Sequence, residues 1–192
     1  MKIESITKTT DYPYLNLFAV SYSDTNGRNK TWHFASRNDP PKCGSGHFDR
    51  PDAVVMVPYH TEKNKLVIIR EFRVPLADYQ YGFPAGLVDD GETVEMSVHR
   101  ELREETGLSV TRIHRISPPV YSSSGMTDES ISMVYVACEG EMSNQWNADS
   151  EDITPLLVSP DEAGRLCADS NAKIDVKTWL VLSAFSETGK VL

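Results

Sequence analysis

The chain has 192 residues, 40% hydrophobic and 24% charged, with 28 acidic against 19 Lys and Arg side chains and a formal net charge of -9. That length holds one packed domain, or one with a small appended unit, and excludes two large ones. The acidity excludes a broad electrostatic grip on nucleic acid, whose phosphates demand a basic surface, and no apolar run approaches bilayer-spanning length.

Cys43, Cys138 and Cys167 are widely spaced and share no Cys-x-x-Cys or Cys/His pattern, so free thiols in a reducing compartment are expected. No signal-type apolar core follows Met1, which makes the cytoplasm the expected location. Residues 1–50 read as an N-terminal β unit and linker. Tyr14 to Val20 and Thr31 to Ala35 are aromatic and β-branched runs around a turn at Thr25-Asn26-Gly27, where Asn-Gly supplies positive φ. Asn38 to Gly46, rich in Pro and Gly, reads as linker or long loop. Residues 51–192 read as the main domain, opening with buried strands at Ala53 to Pro58 and Leu66 to Ile69 around the polar turn Thr61 to Lys65.

A helix is expected from about Thr93 to Thr106, with Thr93 as cap and Gly107 as left-handed stop. Strands follow at Ile131 to Ala137 and Ile153 to Val158. Ser159-Pro160-Asp161-Glu162 opens a helix as a capping box with proline in its first turn. A last helix, Val176 to Glu187, is capped by Asp175 and stopped near Gly189, with Trp179, Leu180, Leu182 and Phe185 as its core face. The fold class this implies is α/β (α+β), a sandwich around a mixed sheet with a small antiparallel β unit in front.

Chemistry is concentrated on the first long helix. Glu101, Glu104 and Glu105 stand at i, i+3 and i+4, so their carboxylates share one face and repel. A solvated acidic face is the common fate of such a pattern. Here Val94, Val98 and Leu102 form an apolar stripe bordering that face, which brings the acids to the rim of the core. Acids so placed need a counter-charge, and hard divalent cations prefer carboxylate oxygen. Arg100 stands where a guanidinium can tie Glu92 of the preceding loop to the helix.

Residues 86 to 108 resemble the Nudix box, G-x5-E-x7-R-E-U-x-E-E-x-G-U with U aliphatic. Gly86, Glu92, Arg100, Glu101, Leu102, Glu104, Glu105, Gly107 and Leu108 meet every fixed position. Chance agreement in a chain of this length is below about one in a million at ordinary residue frequencies. The resemblance implies a Nudix-type α/β/α sandwich, Mg²⁺ or Mn²⁺ as cofactor, and hydrolysis of a nucleoside diphosphate linked to a second moiety. It implies metal ligation by Glu101 and Glu105 with Glu104 sharing the cluster, and a brace between Glu92 and Arg100. Pro84-Ala85-Gly86 and the strand-end Arg73 are similar to the ADP-ribose and ADP-sugar pyrophosphatase branch. There the Ala85 carbonyl would be a metal ligand and Arg73 would hold substrate phosphate.

Trp32 and Arg37 resemble, by their spacing, a tryptophan that stacks on adenine and an arginine that reaches substrate across a homodimer interface. Trp32 fits a β-sheet packing position equally well. Glu129, after the small-residue loop Ser122 to Thr127, resembles a carboxylate brought over the metals as base or extra ligand. Asp128 and Glu151 are its rivals, Glu151 from the second acidic loop Asp149-Ser150-Glu151-Asp152. Glu71 and Ser124 depart from the branch, which carries glutamine and proline there. The expected substrate is ADP-ribose or another nucleotide sugar, with a nucleoside triphosphate or dinucleotide as alternatives. A non-turnover nucleotide-sugar sensor is the rival class, disfavoured because every box carboxylate is retained. No nucleic-acid or membrane partner is expected. His33, His47, His60, His99 and His114 share no metal spacing and read as surface or half-buried.

Overall fold

The computed structural model describes residues 1–148 and 150–191; Asp149, expected in the second acidic loop, lies outside them. The chain forms two compact units, Met1–Asp52 with Pro118–Ile131, and Ala53–Ser117 with the chain from Ser132 onward.

In the first unit β1 (Lys2–Lys8), β2 (Asn16–Ser23) and β3 (Asn29–Ser36) form an antiparallel sheet in that order. The expected turn is present, and Asp24 as well as Gly27 makes it: Oδ1 of Asp24 accepts the N–H groups of Asn26 at 2.8 Å and Arg28 at 2.9 Å, and Gly27 takes φ 75°. Phe18 and Val20 are buried on one face of β2, with the Phe34 ring 5.9 Å from that of Phe18. The stretch expected as linker contains a short helix, α1 (Lys42–Ser45), whose first side chain points inward. The Lys42 ammonium lies 2.7 Å from Oδ2 of Asp52 and donates to Ser130 Oγ at 2.5 Å and the Arg50 carbonyl at 3.2 Å. Burial pushes the Asp52 carboxyl up, but Lys42, the Ser130 N–H and Asn38 outweigh it and hold it below its ordinary value. Asp128 accepts the Lys42 N–H at 2.8 Å and the Ser36 hydroxyl at 3.0 Å through Oδ2. Strand β9 (Val120–Tyr121) pairs with the head of β10 (Ser130–Glu139). These bonds fasten residues 118–131 to a segment far earlier in the chain.

The second unit holds a mixed sheet in the order β11 (Ile153–Val158), β5 (Lys65–Arg73), β4 (Ala53–His60), β10, β8 (Ser109–Ile116). β6 (Asp78–Gly82) lies beside β5, and β7 (Ala85–Leu87) beside β4. Among the described residues three α-helices accompany the sheet: α2 (Val94–Thr106), α3 (Pro160–Ala168) and α4 (Val176–Thr188). Val98 and Leu102 of α2 are fully buried in one cluster with Val54, Met56, Val67 and Val134 of the strands, and Val94 packs at its edge. Thr93 caps α2 by accepting the Met96 N–H at 3.3 Å, and Gly107 ends it at φ 75°. The capping box of Ser159 and Glu162 is complete, and Asp175 and Gly189 bound α4.

Two expectations are corrected. Leu182 and Phe185 of α4 are buried, but Trp179 and Leu180 are exposed, because the inner line of the helix runs through Thr178, whose Oγ1 accepts the Phe83 N–H at 2.9 Å. His60 is fully buried and not half-exposed, its Nε2 3.0 Å from the Gly140 carbonyl. No helix among the described residues is long and apolar enough to cross a membrane.

Lys42→Met removes the cation and leaves Asp52 buried without it. Unfolding free energy should fall by about 3 kcal/mol, read from urea melts of the variant and parent, as for other broken buried pairs; parental stability would show that the pair contributes nothing.

Candidate functional site

The site of the second unit begins at β7. Pairing of Ala85 with Val55 and Gly86 with Val54 fixes this short strand against β4. Gly86 is needed for space. A Cβ there would stand 1.9 Å from the carboxylate carbon and Oε1 of Glu101, so that side chain lies directly on the Gly86 backbone. The neighbouring Ala85 N–H donates to Oε2 of Glu105 at 2.9 Å. Two acids of α2 are thus seated on two consecutive residues of β7, and Glu104 remains at the rim, half-exposed.

Arg100 organises the near side. Its Nε and Nη2 donate to the two carboxylate oxygens of Glu92 at 2.9 and 2.8 Å, and Nη2 also reaches the Leu87 carbonyl at 3.1 Å. Nη1 donates to Glu101 Oε1 at 2.7 Å and Glu104 Oε2 at 3.3 Å. The Ser97 hydroxyl donates to Glu92 at 2.7 Å. Arg100 first and Ser97 second draw the Glu92 carboxyl down to about 2, and Glu92 is the main cause that raises Arg100. The fork–fork geometry ties the loop after β7 to the middle of α2.

The electrostatics of the far side are opposite. Glu105 is only 6% exposed, and burial pushes its carboxyl well above the ordinary range. The Ala85 N–H opposes that shift, while the charges of Glu101, Glu71 and Glu151 add to it. Glu101 is raised by burial, against the pull of Arg100 and with a push from Glu104 and Glu151. Glu71 on β5 is raised by burial and by Glu151, with Arg73 opposing. The charges of Glu71, Glu101, Glu104, Glu105 and Glu151 thus act on one another on this side of α2, with Arg73 and Arg100 opposing. Among the described residues no three of them converge at metal-ligating distance. The donor set nevertheless suits a hard divalent cation: all ligands would be oxygen, and the buried Glu105 carboxylate has one N–H for its charge.

The other expected residues fall as follows. Arg73 ends β5, half-exposed, with Nη1 3.0 Å from Glu71 Oε1. Trp32 lies on β3, half-exposed, in an apolar groove of the first unit of about 660 Å³ with Tyr22, Phe34 and Tyr121. Arg37 Nε donates to Glu129 Oε1 at 2.9 Å within that unit, so Glu129 is held by a cation, and Asp128 is held by Ser36 and α1. Within the second unit the charge of Glu151 acts on Glu71, Glu101 and Glu105. In the sequence Glu71 stands out only as a departure from the branch, but at i and i+2 of a strand Glu71 and Arg73 fall on one face.

The NUDIX domain family matches residues 49–180. An ADP-ribose pyrophosphatase of Saccharomyces cerevisiae is 31% identical over 132 residues, 68% of this chain and 55% of that protein. An ADP-sugar pyrophosphatase of Mus musculus is 32% identical over 125 residues, 64% of this chain and 54% of that protein. The matched stretch spans little more than half the length of either relative. A solved structure described as an ADP compounds hydrolase superposes with a TM-score of 0.69 at 21% identity, covering 99% of this chain and 96% of that one, and so shares the fold.

Two substitutions test the seating of the acids. Gly86→Ala should displace Glu101 and weaken Mn²⁺ binding roughly tenfold or more in calorimetric titration, the scale seen when support for a ligand is lost; wild-type affinity would refute the close approach. For Glu105 the folded carboxyl is raised, so its favourable contribution is present below the unfolded value and lost as pH rises through the folded one. Glu105→Gln should therefore raise the metal-free Tm at pH 7 by about 2–4 °C while abolishing stabilisation by added Mn²⁺. A lowered metal-free Tm would contradict the assigned charge strain.

Proposed function

The chain belongs to the NUDIX hydrolase family, and from that premise we propose that it hydrolyses the pyrophosphate bond of ADP-ribose or another nucleotide sugar, giving a nucleoside monophosphate and a sugar phosphate. The observation that supports this reading is the seating of Glu101 and Glu105 on two consecutive residues of β7, with Glu104 at the rim and Arg100 bracing the loop. The pyrophosphatases named among the relatives, and Arg73 at the end of β5, favour a nucleotide sugar.

Glu101, Glu104, Glu105 and the Ala85 carbonyl would hold Mg²⁺ or Mn²⁺. Such a cation supplies neutralisation of pyrophosphate charge and a more acidic water. The chain's own residues do the rest. Glu92 and Arg100 keep the loop and α2 in register, so the acids stay aligned on β7. Arg73 offers its guanidinium to a substrate phosphate. Glu151 takes the proton of the attacking water; its influence on Glu101 and Glu105 supports it over Glu129, whose carboxylate is engaged by Arg37. In a homodimer, Trp32 and Arg37 would serve the substrate bound by the second copy, and the half-exposed Trp32 ring supports a stacking role.

Turnover should be read by product chromatography with Mg²⁺ and Mn²⁺ on ADP-ribose, other nucleotide sugars, dinucleotides and nucleoside triphosphates. ADP-ribose or a nucleotide sugar should give the highest kcat/KM, with AMP and ribose 5-phosphate from ADP-ribose, and chelation should abolish it. A better triphosphate or dinucleotide substrate would overturn the nucleotide-sugar assignment, and absence of turnover on all of them would favour a sensor. Glu151→Gln should lower kcat by about 10²–10⁴-fold with KM little changed, as for removal of a general base. A larger loss in Glu129→Gln would transfer that role to Glu129.

A further inference from the structure

Arg73 does not stand free for a phosphate: Nη1 lies 3.0 Å from Oε1 of Glu71 two residues earlier on β5. The partners are unequal. The Glu71 side chain is 17% exposed and the Arg73 side chain 49%, so the arginine can swing outward while the glutamate stays. Glu71 is also fastened to the acidic region by the backbone. It pairs with Ile153 at the start of β11, and the next residue, Phe72, donates its N–H to the Asp152 carbonyl at 3.1 Å, which lays the segment carrying Glu151 beside it. Glu105 in turn feels the charges of both Glu71 and Glu151.

We propose that Glu71 is a positioning residue that parks Arg73 on the carboxylate cluster of the cation-free protein and yields it to a substrate phosphate once the cluster's charge is neutralised. The inference rests on the substrate role given to Arg73 above and adds to it the order of events. Paired with Glu71, whose charge Glu105 also feels, the guanidinium is drawn toward the acids, and a phosphate approaching uncompensated carboxylates is repelled. Neutralising the cluster weakens the hold on Arg73 and removes the repulsion together. Phosphate binding is thereby coupled to cation binding through one ion pair, and by reciprocity substrate tightens the cation.

Calorimetric titration with α,β-methylene-ADP, in EDTA and in Mn²⁺, separates the possibilities when carried out on the parent protein, Glu71→Gln and Arg73→Ala. Glu71→Gln preserves shape and removes charge. It should bind the analogue in EDTA about fivefold more tightly than the parent, narrow the ratio of the Mn²⁺ and EDTA affinities, and bind Mn²⁺ alone about threefold more weakly, as suits a pair with one half-exposed partner. Glu71→Ala should act in the same direction, which guards against an effect of the amide itself. Unchanged or weaker analogue binding in EDTA by both Glu71 variants would overturn the proposal, and so would unchanged Mn²⁺ affinity. If Arg73→Ala still weakens the analogue in Mn²⁺, the phosphate role of Arg73 survives that failure. If Arg73→Ala changes nothing in either condition, that role falls and the latch falls with it.

Discussion

The burial of Glu105 against the amide of Ala85 is the constraint from which the rest of the second unit's site can be understood. A carboxylate removed from water and given one N–H is unstable unless other charge arrives. The fold holds it there because Val98 and Leu102 lock α2 into the core, leaving the acidic face of the helix no freedom to rotate outward. Glu101 is confined for a second reason, its seat on the bare backbone of Gly86. Packing energy of the apolar stripe thus maintains an electrostatic configuration that the acids alone would abandon.

The first unit uses buried charge in the opposite way. Lys42, Asp52 and Ser130 satisfy one another, and Asp128 closes onto α1, so the ion pair there is a fastening with its charges matched. Asp128 and Glu129 each have partners of their own unit, whereas the carboxylates around α2 outnumber the cation set among them.

Elements governed by local chemistry were legible in the sequence. Thr93 and Gly107 bound α2 where capping rules place its ends, and the Ser159 capping box and the Asp175 cap are formed. Elements governed by distant partners were not. β8, whose exposed polar and charged positions hide its alternation, is a strand because β10 pairs with it, and α1 is helical within a stretch rich in Pro and Gly where Lys42 turns inward to Asp52. On α4 the apolar residues marked a core face, yet Thr178 took the inner position of Trp179 because a backbone N–H at Phe83 needed an acceptor. At the site, the box spacing located the acids, but their unequal burial depends on β7, a three-residue strand with little pattern of its own.

Arg100 shows how such a site can change its charge state without losing its shape. Its guanidinium serves Glu92 on one edge and Glu101 with Glu104 on the other, and the Leu87 carbonyl adds a fourth acceptor. If Glu101 and Glu104 held a cation, the paired bonds from Arg100 to Glu92 would not depend on them, and Ser97 holds that carboxylate from its other side. The loop after β7 would then stay anchored to α2. A lysine could supply the charge but not two parallel bonds to one acid and a further donor to the next, so the planar guanidinium is what joins bracing and counter-charge in one side chain.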